Sequence, residues 1–219
     1  MTRRVICVSR TTAAGGEAIG QAVAARLGFR YVDEQIILRA AELARVDPAR
    51  IAAAEHSQPL LQRLVDKLGA AQALIGTVAL GTLLPVGGVL TEPSRTKLGE
   101  EDARALIRAA IHEVAKQGNA VIVAHAASLA LAAVPGVLRV LVTASVETRT
   151  RRVVESDKAS EEAAAALIAQ SDRGRRDYLR RFYGVAEEQP TLYDLVVNTD
   201  VLTPEESTSL IVFAARPEA

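Results

Sequence analysis

Tryptophan is absent from this 219-residue chain, and aromatics make up only 3% of it, although hydrophobic residues reach 49%. A core must therefore be assembled from Ala, Val, Leu and Ile. The single cysteine, Cys7, excludes a disulfide within one chain and a thiolate zinc cluster. Its place among Val5, Ile6 and Val8 marks it as a small buried hydrophobe. Charge of one sign is not in excess either. The 26 basic and 26 acidic residues cancel, which excludes a general nucleic-acid binder and requires any anion site to be local. Met1-Thr2-Arg3-Arg4-Val5 runs straight into a strand pattern without the apolar region of a signal peptide, so a cytoplasmic protein is expected.

Charge is missing altogether from Leu68 to Thr91. The run is long enough to raise the question of a membrane span, which needs about 20 apolar residues. Gly69, Gln72, Gly76, Gly81, Pro85, Gly87 and Gly88 interrupt it, and no basic cluster flanks it. The expectation is an apolar segment packed on the domain or on a second copy, which would make a homodimer, and not a membrane contact. The length suits one α/β domain with a full core, or one domain with a small lid.

What is present is organised around Val5-Ile6-Cys7-Val8-Ser9-Arg10-Thr11-Thr12-Ala13-Ala14-Gly15-Gly16. Four β-favouring residues end in a small-residue turn, and Ile19, Val23 and Leu27 then recur at helical spacing as far as Gly28. A strand, tight loop and helix is the setting in which backbone N–H groups converge on phosphate. A glycine pair there also serves ordinary turn chemistry. Against G-x-x-x-x-G-K-[ST], Arg10 stands for the first glycine, Gly15 for the second, Gly16 for the lysine and Glu17 for the hydroxyl residue.

Further along, Phe29–Val32 reads as a strand and Asp33 as the cap of a helix. Asp47-Pro48 and Pro59 are helix starts, and Glu100–Gln117 is an amphipathic helix with His112 beside its apolar stripe. Ala120–Val123 is a continuous apolar run, as for a strand buried on both faces, with His125 just beyond its C-terminal end, where ligands bind in parallel sheets. Leu138–Ala144 is a fourth strand, and Ser145 caps a helix on which Arg149 and Arg152 share one face. Nine of the 26 basic residues lie from Arg149 to Arg181. That patch is either an anion clamp or a solvated helix in which Asp172 and Asp177 pair with neighbouring arginines. Leu195–Asn198 is a fifth strand, and Thr203-Pro204-Glu205-Glu206 starts the last helix. Alternating strands and helices argue for a parallel sheet covered on both faces.

Several stretches carry a family resemblance. Val8-Ser9-Arg10 through Gly15-Gly16, then Ile19-Gly20 and the segment from Ala25 to Ile37, resemble the cytidylate kinase-like family of P-loop kinases. So do Thr143-Ala144-Ser145 with Glu147, Arg149 and Arg152; Asp172, Arg175, Arg176, Asp177-Tyr178 and Phe182-Tyr183-Gly184; and Tyr193 through Thr199. The family loop, roughly S-R-E-[FY]-G-S-G-G-[RK]-E-I-G, already lacks the usual lysine. This chain departs from it at Thr11, Thr12, Ala13, Ala14, Glu17 and Ala18, and Glu17 replaces a base. His125 stands where the family usually has arginine.

The resemblance implies a P-loop kinase fold, an α/β five-stranded parallel sheet flanked by helices, with a small helical lid and monophosphate-binding region. It implies one domain over 1–219, with a substrate-covering insertion at about 45–99 and an arginine-rich lid at about 149–184. It implies ATP and Mg²⁺ as cofactors and a nucleoside monophosphate, CMP or dCMP, as acceptor. Ser9, Arg10, Ala14, Gly15, Gly16, Glu17 and Ala18 would hold the ATP phosphates. Arg149, Arg152, Arg175 and Arg176 would close over the transferred group, Asp33, His125 and Asp172 would face the acceptor, and no side chain is assigned as a metal ligand. Three other readings stay open: a nucleotide-binding or regulatory module that kept the fold without the chemistry, a protein acting through Leu68–Thr91 as an assembly surface, and a kinase of another small acceptor such as shikimate or dephospho-coenzyme A.

Overall fold

The computed structural model describes residues 4–33, 35–45, 51, 100–123 and 126–216. The helix starts expected at Asp47-Pro48 and Pro59, the uncharged run Leu68–Thr91, most of the expected 45–99 insertion, and His125 lie outside the described residues. Chain contacts divide it into one unit of Met1–Ile36 with Arg108–Ala219, and another of Ile37–Ile107.

In the first unit, β1 (Val5–Arg10) leads through a loop into α1 (Gly16–Leu27) and β2 (Arg30–Val32). Helix α2 (Gln35–Ala44) begins at its end, and the C-terminal part of α3 (Glu100–Gln117) belongs to it. Then come β3 (Ala120–Ile122), a single turn α4 (Ala127–Ala130), β4 (Val137–Thr143), α5 (Val146–Asp157) and α6 (Glu161–Tyr183). A 3₁₀ turn (Pro190–Leu192), β5 (Leu195–Asn198) and α7 (Pro204–Ala215) complete the chain. Within the second unit, the rest of α2 and α3 buries Ala40, Ala41, Ala103 and Ile107.

All five strands are parallel, in the order β2-β3-β1-β4-β5. Val5 of β1 pairs with Ala120 on one side and Val137 on the other, and Thr143 of β4 pairs with Asn198 of β5. The first strand is central and buried from Val5 to Ser9, which is why it reads as an unbroken apolar run. Ile6, Val8, Ile19, Val23, Val121, Leu138, Val140, Val142, Ile211 and Val212 form one core with Ala14 and Ala24. Side chains of the Val and Ile class contribute about 1.5–3 kcal/mol each when fully buried, so an aliphatic core serves where aromatics are scarce.

Local signals set the helix ends. Ser145 Oγ accepts from the Thr148 N–H at 3.2 Å and Ser160 Oγ from the Ala163 N–H at 3.2 Å. At α7 the Thr203–Glu206 capping box is complete. Helix α6 runs unbroken through the arginine-rich stretch, between its caps Ser160 and Gly184.

The chain leaves β1 toward β2 on one side of the sheet and leaves β3 toward β4 on the other. Such a reversal opens a crevice at the C-terminal ends of the two strands. Ser9, at the end of β1, donates to Ser128 Oγ of α4 across it at 3.1 Å.

Candidate functional site

The loop between β1 and α1 is shaped by where its carbonyls go. Ala13 adopts φ 62°, a left-handed conformation that costs a non-glycine residue about 1–2 kcal/mol. Arg152 of α5 holds it there by donating from Nη1 to Ala13 O at 3.2 Å. Thr199, just past β5, donates from Oγ1 to Ala14 O at 2.9 Å. In a trans peptide the C=O and the next N–H point opposite ways. Tying back the Ala14 carbonyl therefore turns the Gly15 N–H away from Thr199. Gly15 itself sits at φ 81°, which its lack of a Cβ permits. The first N–H groups of α1 have no partner within the helix, so those of Gly16, Glu17 and Ala18 add to a cluster of donors.

Arg10 lies against this turn. A Cβ built at Gly16 would fall 2.6 Å from Arg10 Cβ, so only glycine lets that side chain pass. Arg10 Nε is buried and has no hydrogen-bond partner among the described residues, an orphan donor that an anion in the loop would satisfy. Its Nη2 forms an ion pair with Glu17 Oε1. Nearby, burial first and then the Asp33 and Glu17 charges push the Tyr31 hydroxyl up to about 12. The loop is thus bordered by acid as well as by arginine.

On α5 and α6 the arginines are engaged. Arg149 is 4% exposed and donates through both terminal nitrogens to Asp172, at 2.9 and 2.8 Å, and through Nε to Ala144 O at 3.1 Å. Arg152 reaches Thr199 as well as the loop, at 3.0 Å to Oγ1 and 2.6 Å to O. Arg175 forks onto Glu188 at 2.7 and 2.6 Å, and the Tyr193 hydroxyl donates to the same carboxylate. Burial alone would raise the Glu188 carboxyl; the Arg175 hydrogen bonds and charge, with Tyr193, outweigh it and hold it below its usual range. Burial, then the bond to Glu188 and its charge, push Tyr193 up to about 12. Arg176 is exposed and carries no ion pair among the described residues. Asp177 pairs with Arg180 at 3.0 Å on the solvent face. The basic patch thus holds ion pairs at Arg149–Asp172, Arg175–Glu188 and Arg180–Asp177, and Arg152 reaches the loop at Ala13, which packs against Val153, Ala164 and Ile168.

Sequence reasoning missed Thr199, Glu188, Tyr193 and Ser128 as parts of the site. The place of Thr199, directly after a parallel strand, was the available signal; nothing local marks Glu188. Cys7 is fully buried, and burial pushes its thiol up, which leaves it a core residue. Among the described residues no group of three metal-ligating side chains converges and no helix is long and apolar enough to cross a membrane.

A parallel sheet in this order, with a donor-rich loop after its central strand and arginine-bearing helices beside it, is the core of a P-loop kinase. Solved structures agree on the fold: shikimate kinase from Bacteroides thetaiotaomicron superimposes with a TM-score of 0.51 at 16% identity, over 96% of each chain. An uncharacterised protein from Eubacterium ventriosum reaches 0.61 at 14% identity, over 96% of this chain and 97% of that one. The chain belongs to the cytidylate kinase-like family, which matches it over residues 5–201. Cytidylate kinase from Aeropyrum pernix is 32% identical over 157 residues, 71% of this chain and 90% of the relative. That from Ignicoccus hospitalis is 29% identical over 144 residues, 66% of this chain and 83% of the relative.

Proposed function

We propose that this protein transfers the γ-phosphoryl group of ATP to a nucleoside monophosphate, with CMP or dCMP as acceptor and Mg²⁺ as the accompanying ion. Family membership supports nucleotide kinase activity, and the cytidylate kinases of Aeropyrum pernix and Ignicoccus hospitalis among its relatives support the choice of CMP. The observation that carries the reading is the orphan Nε of Arg10 beside a loop whose carbonyls are tied back by Arg152 and Thr199. Both features suit a polyphosphate and neither is needed by a plain turn.

In this reading Ser9, Arg10 and the segment from Ala14 to Ala18 hold the ATP phosphates through backbone N–H groups and the Arg10 guanidinium. Arg176, exposed on α6, reaches the transferred group. Arg149 and Arg175 keep α5 and α6 in place through Asp172 and Glu188, and turn toward phosphate when it is bound. Asp33 and His125 face the acceptor. Residues 45–99 cover the monophosphate, and 149–184 form the lid of a single domain. Mg²⁺, when bound with the nucleotide, would supply positive charge against its phosphates, held mainly by phosphate oxygens and water with at most one or two carboxylates of the protein. The acceptor's phosphate oxygen forms the new bond to γ-phosphorus as the bond to the β–γ bridging oxygen breaks, releasing ADP. Positioning and charge stabilisation suffice, with no covalent intermediate on the protein. A cytoplasmic site of action and a homodimer formed through Leu68–Thr91 complete the proposal.

A second reading rests on Glu17. A carboxylate where the family has a base, already paired with Arg10, suits a module that binds nucleotide without turning it over. Coupled measurement of ADP from Mg·ATP, with CMP, dCMP, UMP, AMP or no acceptor, separates the two. ADP that depends on CMP or dCMP is expected. ATP binding with no ADP from any acceptor would favour the module.

A further inference from the structure

Glu17 is the residue whose presence the kinase reading does not explain. It stands on the first turn of α1, its side chain is 48% exposed, and it reaches back to Arg10, whose side chain lies against the loop at Gly16. The donors around it favour negative charge, so its carboxylate occupies, as part of the chain itself, a place where a phosphate oxygen would otherwise compete. A tetra-anionic nucleotide approaching this loop meets a carboxylate and an arginine already paired with it.

We infer that Glu17 makes this site selective for nucleotide carrying a divalent cation over the metal-free polyphosphate. The inference rests on the nucleotide reading above and deepens it. The chemistry is a competition for charge. Metal-free ATP must share Arg10 with the Glu17 carboxylate, which holds Nη2, and tolerate it nearby as a like charge, which opposes binding. A divalent cation on the phosphates reverses the sign: it lowers the ligand's charge and offers Glu17 a partner, leaving the Arg10 guanidinium to the phosphates. Among the described residues no cluster of three metal-ligating groups is built, so the ion would arrive with the nucleotide, and Glu17 would recognise it there. The Arg10–Glu17 pair is exposed enough to open readily, because surface pairs of this kind are worth about 0–1 kcal/mol. Glu17 is thereby a specificity residue and not a barrier.

Binding, not turnover, tests this. Calorimetric titration of ATP into wild-type protein, Glu17→Gln and Glu17→Lys is carried out with excess Mg²⁺ and with EDTA. Glu17→Gln is expected to bind metal-free ATP about tenfold more tightly than wild type, the effect of removing a partly screened like charge. Affinity for Mg·ATP should change little or weaken, so the preference for the metal complex shrinks by at least that factor. Glu17→Lys should remove the preference altogether. An equal Mg²⁺ preference in wild type and Glu17→Gln would overturn the inference while leaving the nucleotide reading in place. If wild type binds ATP under neither condition, even where Glu17→Lys does, the nucleotide reading falls and the inference falls with it.

Discussion

Arg152 shows how one side chain can hold a loop in shape. Its guanidinium donates to Ala13 O and to both oxygens of Thr199, and Ala13 has a left-handed backbone at φ 62°. Hydrogen bonds from a charged donor are worth about 1.5–3 kcal/mol, so Arg152→Ala should lower the unfolding free energy by about 2 kcal/mol in urea denaturation. Arg152→Lys should recover part of the stability but not the forked geometry. Unchanged stability in both variants would mean that the tie to the loop carries no energy. Sequence spacing alone placed Arg149 and Arg152 on one face of a helix, and the structure agrees. It did not tell which acceptors they meet. Asp172 lies on another helix and Thr199 beyond another strand, and only the assembled sheet brings them within reach.

At the scale of elements, two ion pairs among the described residues fasten α6, Arg149–Asp172 to α5 and Arg175–Glu188 to the segment before β5. The second is acid-sensitive in a definite direction. In the unfolded chain Glu188 titrates near the ordinary value of about 4.3, and in the folded protein Arg175 and Tyr193 hold it lower. As pH falls, the unfolded state takes up the proton first. The contribution is therefore fully present above the unfolded value and is lost as pH drops through the folded one. Glu188→Gln should lower the melting temperature at neutral pH and flatten its decline below about pH 4.3. Melting curves from pH 7 to pH 3 that stay parallel in the two proteins would sink this assignment.

Tyr193 acts at the opposite limit. Its hydroxyl, raised to about 12, favours the folded state below its unfolded value and loses that effect as alkali titrates it. None of this network was legible in advance, because Arg175 and Glu188 meet by a turn of the chain that no periodicity announces. The strands and caps were legible for the converse reason. Val121, Ile122, Val140 and Val142 are buried among neighbours on both faces, and Ser145 and Thr203 cap donors only three residues away.

For the whole molecule, the decisive property is that the loop, the sheet and α5 and α6 all belong to the unit of Met1–Ile36 and Arg108–Ala219. A ligand held by that loop binds only while β1, β5 and α5 are in register, because Arg152 and Thr199 shape it from the far side. Nucleotide binding must then stabilise the fold by mass action: about 2.7 kcal/mol at a ligand concentration 100 times the dissociation constant. For a chain of this size each kcal/mol moves the melting temperature by about 2–4 °C. Saturating Mg·ATP should therefore raise it by about 5–10 °C. Removing the tie in Arg152→Ala should shrink that shift as well as the starting value, because the variant both folds less stably and presents a distorted loop. A variant that loses stability but keeps the full shift would separate the two roles and assign Arg152 to folding alone. The absence of any shift in wild-type protein, with Mg·ATP at millimolar concentration, would show that the loop does not hold this nucleotide.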